Sequence, residues 1–469
     1  MNMPDIRQRL SAIPGMDIIL NYDWVQDWTD RIGRIRVKRE INRELSEIRQ
    51  KILSDEGYEF SPEEFRASCL NAFVCASRPS LMRVINASGV VIHTNLGRSL
   101  IAPHAVQAMT NAAEYYSNLE YDLKAGARGQ RNSHTEDILC SLTGAEASLT
   151  VNNNAGAVLL ALSALAKGRE VVVSRGELVE IGGSFRIPDI MSLSGAKLVE
   201  VGTTNRTHLF DYEHAITENT AMLLKVHPSN FRIEGFTAAP ERKDLARLAH
   251  EHGLIFMEDA GSGLMADGEN IGLPPNTGEI SIKACLDSGA DIVTFSGDKI
   301  LGGPQIGGIV GKKNYVDKLK KYPLARALRC DKVTLAGFEA TLRLYAQGLL
   351  DEIPTLRMLR LDADSLKARA ESLADELSRR LNPEISQVRV TEVQDASGGG
   401  SCPEIVLRGW GVSVRHKTFG AGRIQKALRN LDVPVLCGAR DDEIVIHLRT
   451  LQVGEENIVI DSLGDVLNV

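Results

Sequence analysis

From about residue 83 onward, short β-rich runs alternate with amphipathic helical stretches, and this alternation limits the possible folds more than any other feature of the chain. The β-rich runs include ASLTVNN (147–153), EVVVS (170–174), KLVEVG (197–202), AMLLKVH (221–227), LIFMEDA (254–260) and DIVTFSGDK (291–299). Helical stretches such as PERKDLARLAHEHG (240–253), which ends on a capping glycine, separate them. A strand can pair in parallel with its successor only through a crossover, and a helix is the usual crossover. The rhythm therefore predicts an α/β fold with a mostly parallel sheet and helices on both faces. In such sheets ligands bind beyond the carboxyl ends of the strands.

The flanks read differently. In residues 1–80, Ile41, Leu45, Ile48 and Ile52 recur at helical spacing, and Ser61-Pro62 reads as a helix start. The basic residues Arg31, Arg34, Arg36, Lys38 and Arg39 cluster there. A small helical N-terminal domain is expected over 1–80, and the α/β domain over 81–335. A smaller α+β domain is expected over 336–469, with strands near 387–393 and 404–408, a helix near 420–430 and a final strand in EIVIHLRTL. SGGGS (397–401) reads as a flexible surface loop.

Charge and cysteine usage narrow the class. Lys plus Arg is 54 against 61 Asp plus Glu, a net charge of -7, so any nucleic acid must meet a local basic patch. Seven scattered cysteines without a C-x-x-C pair suit buried reduced thiols better than a disulfide framework or a zinc ribbon. No apolar run suits a signal peptide or a membrane span, so a cytoplasmic protein away from membranes is expected.

Three motifs carry chemistry. In DIVTFSGDKILGGPQIGGIVG, a strand delivers Lys299 among small residues. Desolvation lowers a lysine's pKa and frees its amine to form an imine with an aldehyde. Ser296 can donate to a phosphate, and the following glycines let the backbone pass close to a ligand. In MEDAGSG (257–263), Asp259 ends an apolar run and can pair with a pyridinium nitrogen. In NNNAGAVLLAL (152–162), a strand gives way to a helix whose first N–H groups form an anion cradle. Each motif has a plainer reading: a surface lysine, a turn-capping acid, an N-cap asparagine. Together, in this order, they form the layout of an aminotransferase-like, fold type I enzyme that uses pyridoxal 5'-phosphate. Arg98 in HTNLGRS, and Arg326 and Arg329 in YPLARALRCDK, can bind phosphate-like anions or stand as solvated arginines.

The stretches INASGVVIHTNLGRSL, LEYDLKAGARGQR, VNNNAGAVLLAL, SRGELVEIGGSFRIPDIM, EVGTTNRTH, KVHPSNFRIEGFT, TFSGDKILGGPQIGGIVGKK and ARALRCDKVTLAGFEATLRLY resemble bacterial selenocysteine synthases, the L-seryl-tRNA(Sec) selenium transferases. They cover residues 84 to about 345. The resemblance implies that Lys299 carries pyridoxal 5'-phosphate as a Schiff base and that Asp259 stands by the ring nitrogen. It puts Asn153, Asn154, Ala155, Gly156 and Ser296 near the phosphate. It puts Asp298, Arg98, Arg326 and Arg329 around the selenium donor. It implies loss of water from seryl-tRNA(Sec), addition of selenium from selenophosphate, and recognition of the tRNA by the N-terminal domain. It also implies a homo-oligomer, at least a dimer and in the family a decamer. The family usually reads NNNAAA where this chain has Gly156, a change that costs some helix propensity, ~1 kcal/mol. Two rivals stand beside this reading: a pyridoxal-phosphate lyase acting on a small amino acid or amino sugar, and an RNA-binding protein without catalysis.

Overall fold

The computed structural model describes residues 3–55, 57–181, 185–227, 231, 233, 235–265, 279–399 and 406–468. It divides into two compact units, Met1–Arg83 and Val84–Val469.

The first unit is helical. Its long helix Arg34–Ser54 buries Val37, Ile41, Leu45, Ile48 and Ile52 against Phe65, Cys69 and Phe73 of Pro62–Ser77. The expected face is thus the core face. Ser61 accepts the N–H of Glu64 and Pro62 opens the helix, so the start signal also holds. Glu40 and Glu44 are buried on the long helix and draw in Arg39 and Arg43. Part of the basic cluster therefore neutralises buried acid. Arg31 lies over Trp28, and Arg36 donates to the carbonyl of Ala76.

The second unit is built around a seven-stranded sheet. Its strands are β1 (Ala147–Val151), β2 (Glu170–Ser174), β3 (Lys197–Val201), β4 (Thr220–Val226), β5 (Ile255–Gly261), β6 (Ile292–Ser296) and β7 (Gly307–Gly311). The spatial order is β1-β7-β6-β5-β4-β2-β3. The pairs among β6, β5, β4, β2 and β3 are parallel, and β7 runs antiparallel to both neighbours. The alternation of side chains along each strand separates two apolar layers. Met222 and Leu224 face one, which the helix Asn154–Leu165 covers. Leu223 faces the other, with Leu245, Phe338 and Leu342.

A six-stranded sheet forms the second part of this unit, in the order Ile85–Ala87, Val435–Arg440, Glu443–His447, Val406–His416, Ser386–Gly398, Val90–Ile92. Two of its strands come from residues 85–92, far from the rest in sequence. The helix Lys332–Ala346 runs through position 335, so the expected division there falls inside a helix. Ser397 and Gly398 belong to a strand, and Ser397 is buried, which corrects the expectation of a surface loop there. Residues 400 and 401 of that expected loop lie outside the described residues. Cys69, Cys285 and Cys330 are buried as expected, but Cys75 is exposed and Cys402 is not among the described residues. No described helix is long and apolar enough to cross a membrane.

Candidate active site

The carboxyl ends of β1, β5 and β6 bring the expected residues together. β5 is buried along its length, opens on the apolar Ile255, Phe256 and Met257, and carries Glu258 and Asp259 toward its carboxyl end. Asp259 is buried and accepts hydrogen bonds from Asn154 Nδ2 (2.8 Å), Thr294 Oγ1 (3.2 Å) and the N–H of Gly261 (3.2 Å). Burial raises its pKa, against the three donors and Lys299, which lower it. Lys299 lies three residues past the end of β6 and is buried as well. Burial lowers the pKa of its amine, and Asp259 opposes that shift most strongly. One cause, loss of water, thus moves both groups toward neutrality.

Asn153 caps the helix Asn154–Leu165 by accepting the N–H of Gly156 at 2.8 Å. This uses one of the N–H groups expected to face an anion. The N–H groups of Asn154 and Ala155 have no intrahelical acceptor and remain for one. The Asn154 side chain turns to Asp259 rather than toward an anion, and its Oδ1 is buried without a partner. Gly307 of β7 lies against this turn. A Cβ there would sit 2.2 Å from the carbonyl oxygen of Asn153, so only glycine fits.

Asp298 and Arg98 form an ion pair at 2.7 Å. Arg98 has φ +64°, a left-handed conformation that non-glycine residues rarely adopt. Its N–H donates to the carbonyl of His93 at 3.1 Å, and Gly97 before it is also left-handed. Ser99 then locks this loop to the lysine turn: its Oγ donates to the Lys299 carbonyl at 2.5 Å and its N–H to that of Asp298 at 3.3 Å. Asp298 Oδ1 is buried and unpartnered.

Arg326 and Arg329 stand apart. Both are exposed, and Arg329 pairs with Glu120 at 3.1 Å. They line a groove of about 1090 Å³ that also holds Arg128 and Arg131. Their main chain reaches the end of β1, where Arg329 bridges to Val151 and the carbonyl of Leu328 takes the N–H of Asn152 at 2.8 Å. Ser296 is buried at the end of β6.

Several residues at these strand ends were not foreseen. Thr294 shares the face of Ser296 at a spacing of two, a signal the alternation of β6 contained. His227 follows β4, donates its N–H to the carbonyl of Asp259 at 3.0 Å and sets its ring Nε2 3.0 Å from Glu279 Oε1. No local pattern marks Glu279.

A buried lysine, a buried carboxylate held by three donors, unused helix N–H groups and two unpartnered buried oxygens fit a cofactor with an aldehyde, a basic ring nitrogen and a phosphate. The comparisons with known proteins agree on a family. Residues 84–452 match the family model described as L-seryl-tRNA selenium transferase. The L-seryl-tRNA(Sec) selenium transferase of Desulfotalea psychrophila is 47% identical over 430 residues, 91% of this chain and 91% of its own length. That of Caldanaerobacter subterraneus is 44% identical over 470 residues and all of both chains, 100% and 100%. Among solved structures, a D-glucosaminate-6-phosphate ammonia-lyase superimposes with a TM-score of 0.58 at 23% identity, covering 83% of this chain and 96% of its own, which is a likeness of fold. With its family model spanning most of the chain and relatives this similar end to end, the protein belongs to the L-seryl-tRNA selenium transferase family.

Proposed function

We propose that this protein converts L-seryl-tRNA(Sec) to L-selenocysteinyl-tRNA(Sec), with pyridoxal 5'-phosphate as cofactor and selenophosphate as selenium donor. The observation that carries the reading is the burial of Lys299 and Asp259 together at the ends of adjacent strands, in a chain of this family. When bound, the cofactor supplies a ring that accepts the electrons left on the substrate's Cα. Lys299 anchors it and, once displaced by the seryl amine, takes the proton from Cα. Its buried position favours the neutral amine that this step needs. Asp259 offers a carboxylate to the ring nitrogen, and Asn154, Thr294 and Gly261 fix its direction. The N–H groups of Asn154 and Ala155, with Ser296, receive the phosphate.

Arg98, steadied by Asp298, meets the anionic selenium donor, and Arg326 and Arg329 serve the same donor from their own exposed groove. The helical unit Met1–Arg83 recognises the tRNA, through the arginines that do not neutralise Glu40 and Glu44. The protein works in the cytoplasm as a homo-oligomer, at least a dimer. The test is selenium incorporation into seryl-tRNA(Sec) by the wild type and by Lys299→Ala. Incorporation by the wild type alone is expected, and turnover by the variant would contradict the reading.

A further inference from the structure

Loss of water from a seryl group needs an acid as well as a base, because hydroxide leaves carbon poorly. The function proposed above assigns the base and leaves the acid open. Most polar groups in the buried cluster are engaged. Asp259 accepts three donors, and Asp298 holds Arg98, whose guanidinium does not release a proton. Ser99 is tied to the Lys299 carbonyl. Lys299 itself is needed at Cα.

His227 differs from these. It sits at the carboxyl end of β4, bonded through its main chain to Asp259, and its side chain is only 8% exposed. Its Nε2 is 3.0 Å from Glu279 Oε1, and that carboxylate is 1% exposed. The main-chain bond from His227 to Asp259 puts the pair at the strand end that holds the buried carboxylate. The second ring nitrogen, Nδ1, makes no hydrogen bond among the described residues. A buried imidazole with one nitrogen fixed by a carboxylate and the other open is the arrangement by which histidine carries protons.

We propose that His227, oriented by Glu279, is the acid that protonates the hydroxyl leaving Cβ of the seryl group. This role rests on the function proposed above. In the step, the Cβ–O bond breaks with its electron pair on oxygen. The proton on Nδ1 of the doubly protonated ring completes a water molecule, and the Cα proton passes to Lys299. The Nε2–H stays on Glu279, and His227 regains a proton from solvent before the next turnover.

The experiment uses full-length, cofactor-loaded wild type, His227→Asn, His227→Gln, Glu279→Gln and His93→Asn, with seryl-tRNA(Sec) in heavy water and no selenium donor. The His93 variant is included because His93 Nδ1 is buried and unpartnered on the Arg98 loop. Three quantities are read: cofactor affinity, exchange of the Cα hydrogen, and loss of the β-hydroxyl. Both His227 variants should keep cofactor affinity and Cα exchange while losing the hydroxyl about 100-fold more slowly or worse. Glu279→Gln should show the same selective loss to a smaller degree. Equal loss of exchange and elimination in the His227 variants, or no loss of either, would overturn the role. So would selective loss in His93→Asn alone. A wild type that performs neither step would overturn the proposed function, and this role with it.

Discussion

At Lys299 two requirements oppose each other. Burial lowers the amine's pKa and makes it nucleophilic, while the negative charge of Asp259 favours the charged form. The protein keeps both because the same carboxylate serves the ring nitrogen. Uptake of pyridoxal phosphate by the apo-protein should therefore rise with pH to a midpoint below 10.5, the ordinary value for lysine. Asp259→Asn removes the strongest influence raising the amine's pKa, so the midpoint should move lower still. Stopped-flow uptake across pH would show it, and a midpoint at or above the ordinary value would contradict burial as the dominant cause. Arg326 and Arg329, by contrast, sit outside the buried cluster on an exposed stretch. If they serve the anionic donor, Arg326→Ala with Arg329→Ala should slow selenium addition while sparing loss of water. Single-turnover assays with and without selenophosphate separate the two steps, and equal loss would assign these arginines to the tRNA instead.

Between elements, the helix Asn154–Leu165 makes close contacts at two glycines, Gly307 of β7 and its own Gly156, and the two differ in consequence. A Cβ at Gly307 would meet main-chain atoms of Asn153 and Asn154 at 2.2–2.8 Å, which cannot step aside. Gly307→Ala should lower stability by about 1–3 kcal/mol and weaken cofactor binding. A Cβ at Gly156 would meet Leu328 Cδ2 at 2.9 Å, the tip of a side chain that can turn. Gly156→Ala should stay within about 1 kcal/mol of wild type, because the gain in helix propensity offsets the repacking. Thermal unfolding of both variants checks the contrast. These contacts explain what the sequence could not show. Period and strand-end position were enough to place Lys299 and Asp259 at strand ends and Asn153 at a helix start. They were not enough to see that Asn154 turns to Asp259, because which partner an asparagine takes depends on the neighbouring strand. Nor does any local pattern pair residues 85–92 with strands more than 300 positions later. His227 and Glu279 are likewise joined only by the fold.

Across the whole molecule, the two compact units divide the proposed work. All the residues that hold Lys299 and Asp259 lie in Val84–Val469, and that unit has its own apolar layers. A protein lacking residues 1–83 should therefore still bind pyridoxal phosphate but lose affinity for seryl-tRNA(Sec). Filter binding and cofactor fluorescence on the truncated protein test this, and full tRNA affinity would refute the division. The central claim joins cofactor and RNA-borne substrate at one lysine. It is tested most directly by the absorption spectrum of purified, cofactor-loaded protein before and after addition of seryl-tRNA(Sec), with no selenium donor present. The account predicts a visible band that shifts to longer wavelength with the charged tRNA and is lost in Lys299→Ala. A band that ignores seryl-tRNA(Sec) yet responds to a free amino acid or amino sugar would contradict it and make the protein a small-molecule lyase.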